Sequence, residues 1–431
     1  MINFTTRNQH GRAMRESLRL TRLCVPLAAI LAVTMLVGCA GGTQETSSSQ
    51  AADQGVSAQS AASAQESSGA QSASAVEGAS AAEGTSSDAS VSFEQAIEGA
   101  SSFLLAEGGI ASGDPISSAS WYGAGSSETD WYVVFADRAN LGQPDPAYLS
   151  DLQTFVEDAY ETDDLLGYAA GTEWHRIAMA VRAAGGDPTS FGTNAQGQPI
   201  DLIADGTYNW VREEELSYQG SNALIYALLA AKGGGYEWPT EARYSEDAVV
   251  SELLSCQDEA GGFGLSPGGE STDITAMALQ ALAFYYGDAG VANRSALSDE
   301  TASKVDTAVG HAIDYLSAAQ NADGCYDMDG VYSSDTCSQV ILALCALGID
   351  PATDERFVKD GGSLADALMF FRNSDGGFAS QLAEGVDSSS NILATRQAGC
   401  ALTALQLLQQ NGNGNFFDFD NTLASSVQKA A

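Results

Sequence analysis

The stretch Gln257-Asp258-Glu259-Ala260-Gly261-Gly262-Phe263-Gly264 decides how this chain is read, because it is written three times. It returns as Gln320-Asn321-Ala322-Asp323-Gly324-Cys325-Tyr326 and as Arg372-Asn373-Ser374-Asp375-Gly376-Gly377-Phe378. Before each copy runs an apolar segment with a leucine four residues ahead of the Gln or Arg: Leu253, Leu316 and Leu368. After each, beyond a polar loop, comes a second segment: TDITAMALQALAFYY from Thr272, SDTCSQVILALCALGID from Ser334, ATRQAGCALTALQLLQ from Ala394. The second segments are Ala- and Leu-rich nearly all round, which is the pattern of a helix buried on most faces, while the first are amphipathic. Each unit is therefore one half-exposed outer helix, a tight Gly-aromatic turn and one inner helix.

Upstream, the plan recurs without the Gly-Gly-Phe turn. TEWHRIAMAVRAAGGDP from Thr172 and SNALIYALLAAKGG from Ser221 overlay on the later inner segments, and TDWYVVFADRANLG from Thr129 is the loosest copy. Outer helices are expected near 93–107, 146–166 and 200–216. A helix pair cannot bury its apolar face alone, so neighbours must stack. Inner helices apolar on every side would leave one face of an open solenoid wet, and closing the pairs into a ring removes that problem. The expected fold is all-α: an α/α toroid of about six helix pairs, preceded by a disordered linker. Within the repeat, the glycines permit a positive-φ turn. The aromatic packs that turn on the neighbouring unit, and the Gln amide satisfies backbone groups at helix ends. Asp273 and Asp335 stand where N-caps belong.

Gln257-x-x-x-Gly261-x-Phe263, Gln320-x-x-x-Gly324-x-Tyr326 and Arg372-x-x-x-Gly376-x-Phe378 resemble the repeats of the squalene cyclase and protein prenyltransferase superfamily. That family repeat is Gln-x-x-x-Gly-x-Trp, and here Phe or Tyr takes the Trp place. The resemblance covers most of residues 93–431, specific in the last three units and loose in the first three. It implies the same toroid, which cobalamin carriers, complement-like thioester domains and anchored bacterial surface proteins also resemble.

The catalytic motifs that such a resemblance implies are incomplete. A cyclase acid motif is Asp-x-Asp-Asp, and Asp327-Met328-Asp329-Gly330 lacks the last carboxylate. A prenyltransferase zinc set needs Asp-x-Cys and a His on the next inner helix; Asp335-Thr336-Cys337 matches the first part, but Gln397 stands where the His belongs. A thioester needs Cys followed by Gly, and no cysteine here is. As an EF-hand, the loop 327–335 would have Cys325 and Thr336 at the first and twelfth positions, both unsuitable. No metal or cofactor is expected. His175 lies on a buried helical pattern and His311 in an outer run.

The ends and the charge place the domain. Arg7, Arg12, Arg15, Arg19 and Arg22 precede an apolar run, Val25 to Val37, too short for a comfortable membrane span. It closes on Leu36-Val37-Gly38-Cys39, which resembles a bacterial lipobox; the resemblance implies a signal over 1–38 and lipidation of Cys39. Residues 39–92 are Ser/Ala-rich, and after Cys39 they lack Lys, Arg, Leu and aromatics. Such a segment reads as a flexible tether of roughly 40 Å. The expected location is the outer face of the cytoplasmic membrane. The formal net charge is −38, which repels phosphate backbones and excludes nucleic acid as a partner. Cys337 and Cys345 are about 12 Å apart along a helix and cannot bridge, and no disulfide framework is evident.

In such a ring the inner-helix N-termini converge on one mouth. The overlay places Trp131, Trp174, Asn222, Thr275, Cys337 and Ala398 at equivalent first-turn positions, with Asp273 and Asp335 beside them. Two indoles, an amide and two carboxylates would line an open, aromatic mouth suited to a small molecule or glycan. The expectation is a lipid-anchored binding module taking an isoprenoid or other apolar molecule, a corrinoid or a glycan, without catalysis. A toroid enzyme of cyclase or prenyltransferase type and a cell-surface protein-interaction scaffold are the alternatives.

Overall fold

The structure is a computed structural model describing residues 91–423 except 112–113, 119–122, 143–144, 163–165, 167–170 and 329. The leader, Cys39 and nearly all of the tether therefore lie outside the described residues.

Thirteen α-helices are described: α1 (Phe93–Glu107), α2 (Ser127–Arg138), α3 (Pro146–Glu161), α4 (Gly171–Ala183), α5 (Leu202–Gly206), α6 (Ser221–Gly233), α7 (Glu246–Leu254), α8 (Thr272–Leu282), α9 (Val291–Arg294), α10 (Asp299–Ala319), α11 (Ser334–Ala346), α12 (Leu364–Met369) and α13 (Ile392–Asn411). The protein is mostly helical, as read from the sequence, but not purely so. Five two- or three-residue strands occupy the loops: β1 (Asp327–Met328), β2 (Val331–Ser333), β3 (Val358–Lys359), β4 (Gly362–Ser363) and β5 (Gln381–Leu382). They form antiparallel ribbons in the order β1-β2-β5 and β3-β4. Tyr332 pairs with both Asp327 and Leu382, so the loop before α11 is tied to the loop before α13.

The buried set α2, α4, α6, α8, α11 and α13 packs in sequence order, each on the next, and α13 packs back on α2. Outer helices α5, α7, α10 and α12 each pack on the preceding inner helix, α4, α6, α8 and α11 respectively. The first outer helix, α1, packs on the last inner one, α13. The third outer helix is shorter than the expected 200–216: α5 stops at Gly206, where a side-chain carbon would stand 2.5 Å from Trp174 Cβ.

The repeated turns are joints between units. Gly261, Gly324 and Gly376 have φ of 94°, 88° and 90°, a region that favours glycine. Each also lies flush on the next unit's backbone: a carbon added to Gly261 would meet the His311 carbonyl at 2.6 Å, and one on Gly324 the Gly362 carbonyl at 2.8 Å. Gln257 Nε2 donates to Gly261 within its own turn at 3.0 Å and across to Ala308 at 2.8 Å. Gln320 Nε2 repeats this with Gly324 at 2.8 Å and Phe357 at 3.1 Å.

After α13 ends at Gly412, the C-terminal segment folds across the helix ends. Phe416, Phe417 and Phe419 are buried, and Phe419 N–H donates to the Gly233 carbonyl at 3.0 Å. Arg138, fully buried at the end of α2, donates Nε–H to the Phe416 carbonyl at 2.7 Å, bonds the Asn421 carbonyl, and lies over the Phe419 ring at 5.5 Å.

Candidate functional site

The site begins with helix caps. Asp273 and Asp335 are not the N-caps that spacing suggested; Ser271 and Ser333 are, accepting from the Ile274 and Thr336 N–H groups. The cap lies two residues upstream of each aspartate, which frees both carboxylates for other contacts. Each is pinned on one side by a hydroxyl of a following segment, Thr336 for Asp273 and Ser380 for Asp335. Their Oδ1 atoms are buried and have no hydrogen-bond partner among the described residues.

Burial pushes the Asp335 carboxyl up to about 6, with the Asp273 charge adding to the rise and the Ser380 bond and Arg396 opposing it. Burial also raises Asp273, against the Thr336 bond. Arg396, buried on α13, has its guanidinium 5.9 Å from the Trp131 ring. Trp131 is 6 % exposed, makes edge contacts with Tyr226 and Phe417 at 6.0 and 6.3 Å, and leaves its indole N–H unpartnered. Gln397, 8 % exposed, leaves Oε1 unpartnered, and so does Asn222 its Oδ1, one helical turn from Tyr226 on α6.

Beside Trp131 and Gln397 lies a recess of about 40 Å³, bounded by Trp131, Tyr226, Gln339, Arg396 and Gln397, with Phe416 and Phe417 closing it; Asn222, Asp273 and Asp335 stand one to two helical turns from its lining and do not bound it. Phe416, Phe417 and the long polar side chains of Gln280, Gln339, Arg396 and Gln397 bound that recess, which lies one to two helical turns from the first-turn residues where the sequence places an aromatic mouth.

Trp131, Asn222, Asp273 and Asp335 all carry unpartnered buried polar atoms, and Asp335 interacts electrostatically with both Asp273 and Arg396. The other three expected site residues do not share this property. Trp174 is turned outward against Trp210, ring centroids 5.2 Å apart, and donates its N–H to Tyr160 at 2.8 Å. Thr275 Oγ1 accepts the Phe263 N–H at 2.8 Å and donates to the Ser271 carbonyl at 2.7 Å, fastening the repeat turn to α8. Cys337 takes the same place on α11 beside Tyr326. In the sixth unit this role falls to Thr395, which accepts the Phe378 N–H at 2.8 Å, and not to Ala398, three residues further on.

The recess also has Tyr226, Gln280, Gln339 and Arg396, which the sequence reading does not single out. For three of them a signal is there: Tyr226 is at i+4 from Asn222, Gln339 at i+4 from Asp335 and Gln280 at i+7 from Asp273, each on the same helix face. Gln280 Nε2 donates to Gln339 Oε1 at 3.0 Å. His175 is a core residue whose Nε2 lies 2.6 Å from the Gly206 carbonyl, and burial lowers its pKa to about 4. Among the described residues no three His, Cys, Asp or Glu side chains converge as a metal set. Trp131, Asn222, Asp273, Asp335 and Gln397 offer four unpartnered acceptors, two of them carboxylate oxygens, and one unpartnered donor. Comparison with protein-family models and with curated sequences finds no match for this chain.

Proposed function

We propose that the chain is a surface-tethered binding module. In this reading Cys39 is lipidated at the outer face of the cytoplasmic membrane, and residues 39–92 form the tether. The helix pairs then close into an α/α toroid of the squalene cyclase and prenyltransferase type. The cyclic order of inner-helix packing and the seat of α1 on α13 support that closure. The toroid would hold the donor-bearing end of a small polar ligand at its centre.

The observation that carries the reading is a set of unpartnered buried atoms: Trp131 Nε1 and Gln397 Oε1 at the recess, and Asn222 Oδ1, Asp273 Oδ1 and Asp335 Oδ1 in the first turns of α6, α8 and α11, one to two turns from it. Each buried polar atom left unsatisfied costs about 1–3 kcal/mol. Such atoms are tolerable when a guest or ordered water satisfies them. Four of the five are acceptors, which favours a guest rich in N–H or O–H groups, a protonated amine or sugar hydroxyls. A recess of about 40 Å³ takes a terminal group rather than a whole molecule. A corrinoid or isoprenoid would have to displace Phe416 and Phe417, so the polar guest is preferred to both.

Native mass spectrometry of the full chain from its producing host, together with thermal shift against glucosamine, spermidine and neutral oligosaccharides, tests this. A retained polar molecule, or stabilisation that Asp335→Asn weakens at least tenfold in apparent Kd, supports it. No retained mass and no stabilisation by any of these would leave the acidic exterior, as a protein-binding scaffold, the better reading.

A further inference from the structure

Comparing the three repeated turns side by side isolates one departure. At the position after the positive-φ glycine, the first and third turns have Gly262 and Gly377; the second has Cys325. At the first turn of the following inner helix, where Thr275 and Thr395 accept the aromatic residue's N–H, the second unit has Cys337. Both substitutions occur in the same copy, and they face each other: Cys325 Sγ and Cys337 Sγ are 3.3 Å apart. Neither sister turn has room for the extra atoms. A carbon on Gly262 would stand 3.0 Å from the Tyr315 ring, and one on Gly377 2.6 Å from Ser390 Cβ. The turn around Cys325 does hold a side chain there. Cys325 is 7 % exposed and Cys337 fully buried, so the pair sits at the edge of the core, with its outer thiol next to the surface loop.

We infer that Cys325 and Cys337 are a disulfide-forming pair that clasps the second repeat turn to the first turn of α11. A disulfide needs its sulfurs at about 2.05 Å, so the present gap has to close by about 1.2 Å. The oxidant is a disulfide-bearing molecule: a small-molecule disulfide or a thiol–disulfide oxidoreductase met after export. The Cys325 thiolate attacks its S–S bond, forming a mixed disulfide and expelling one thiolate. Cys337, deprotonated, then attacks the Cys325 sulfur and expels the second. Two protein thiols lose two electrons and two protons; the oxidant becomes two thiols. The clasp closes a short loop, restraining the start of α11 two residues from Asp335. The inference is independent of any ligand at the centre.

The test is the full chain, leader included, produced in an exporting bacterium, quenched with an alkylating agent before lysis and mapped without reduction. The expected result is one cross-linked peptide pair containing residues 325 and 337, lighter by two hydrogens, with Cys256, Cys345 and Cys400 alkylated after denaturation. Reductant should lower the unfolding midpoint of the wild type by about 5 °C, the scale for a short-loop cross-link in a domain of this size. Cys325→Ala and Cys337→Thr, the latter keeping an acceptor as in the sister units, should show no reductant effect. Alkylated Cys325 and Cys337 in the exported protein, with a midpoint indifferent to reductant, would overturn it.

Discussion

Gly376, in the last repeated turn, lies against Gly99, in the first described helix: a side-chain carbon on Gly376 would stand 2.8 Å from the Gly99 carbonyl oxygen. The same contact joins Gly261 to His311 and Gly324 to Gly362, each between one unit and the next. The third copy makes it between the last unit and the first. A single local device thus serves as joint and as seam, and Arg372, standing in the Gln place, comes within 3.3 Å of where a Gly99 side-chain carbon would be.

The seam contact separates two costs that glycine replacement normally mixes. Gly376→Ala should lose about 3 kcal/mol, roughly 1 kcal/mol from the left-handed backbone and the rest from the clash with α1. Gly385→Ala is the control, with φ of 79° and nothing within 4 Å of the added carbon. It should lose only about 1 kcal/mol. Denaturant melts of both decide the matter: equal losses would mean that the α1 contact contributes nothing.

Gln320 is the more buried of the two bridging glutamines, and its amide satisfies carbonyls on both sides of a unit boundary. Gln320→Leu leaves the Gly324 and Phe357 carbonyls without that donor and should destabilise by about 2–4 kcal/mol. Hydrogen exchange would place the loss at the α10–α12 boundary. A uniform loss of protection would instead mark a global effect.

Asp335 makes stability depend on pH in a direction opposite to most carboxylates. Its native pKa is raised to about 6 from an ordinary 3.8, so between these values the native state holds the extra proton. Its contribution is fully present below about pH 4 and is lost as pH rises through 6. Asp205, raised to about 6 by burial against its Tyr160 bond, acts in the same sense. Asp335→Asn should therefore gain about 1–2 kcal/mol over the wild type at pH 7.5 relative to pH 4.5, measured by urea unfolding. A difference that does not change with pH would show that the carboxylate is not buried in solution.

The paired-helix plan was legible because its signals are local. Apolar periodicity marks the helices, and the glycine-aromatic spacing marks the joints wherever they occur. The same locality explains the errors. An aspartate near a helix start is usually its cap, which is what spacing suggests for Asp273 and Asp335, while Ser271 and Ser333 stand at the true ends. Trp174 and Trp131 have equivalent positions in the overlay. Trp174 packs outward because Trp210 and Tyr160 are there to receive it.

What the amino-acid order alone determined is the set of helices and the turns that join them, since each depends on residues within a few positions of one another. The three-dimensional structure alone decided what closes the recess beside Trp131. Phe416 and Phe417 line it, with Arg138, 278 residues before Phe416, bonded to the Phe416 carbonyl, and no local pattern records a contact between segments so far apart. Whether a side chain near a helix start looks inward or outward is set by which neighbours arrive to cover it, and those arrive only when the fold closes.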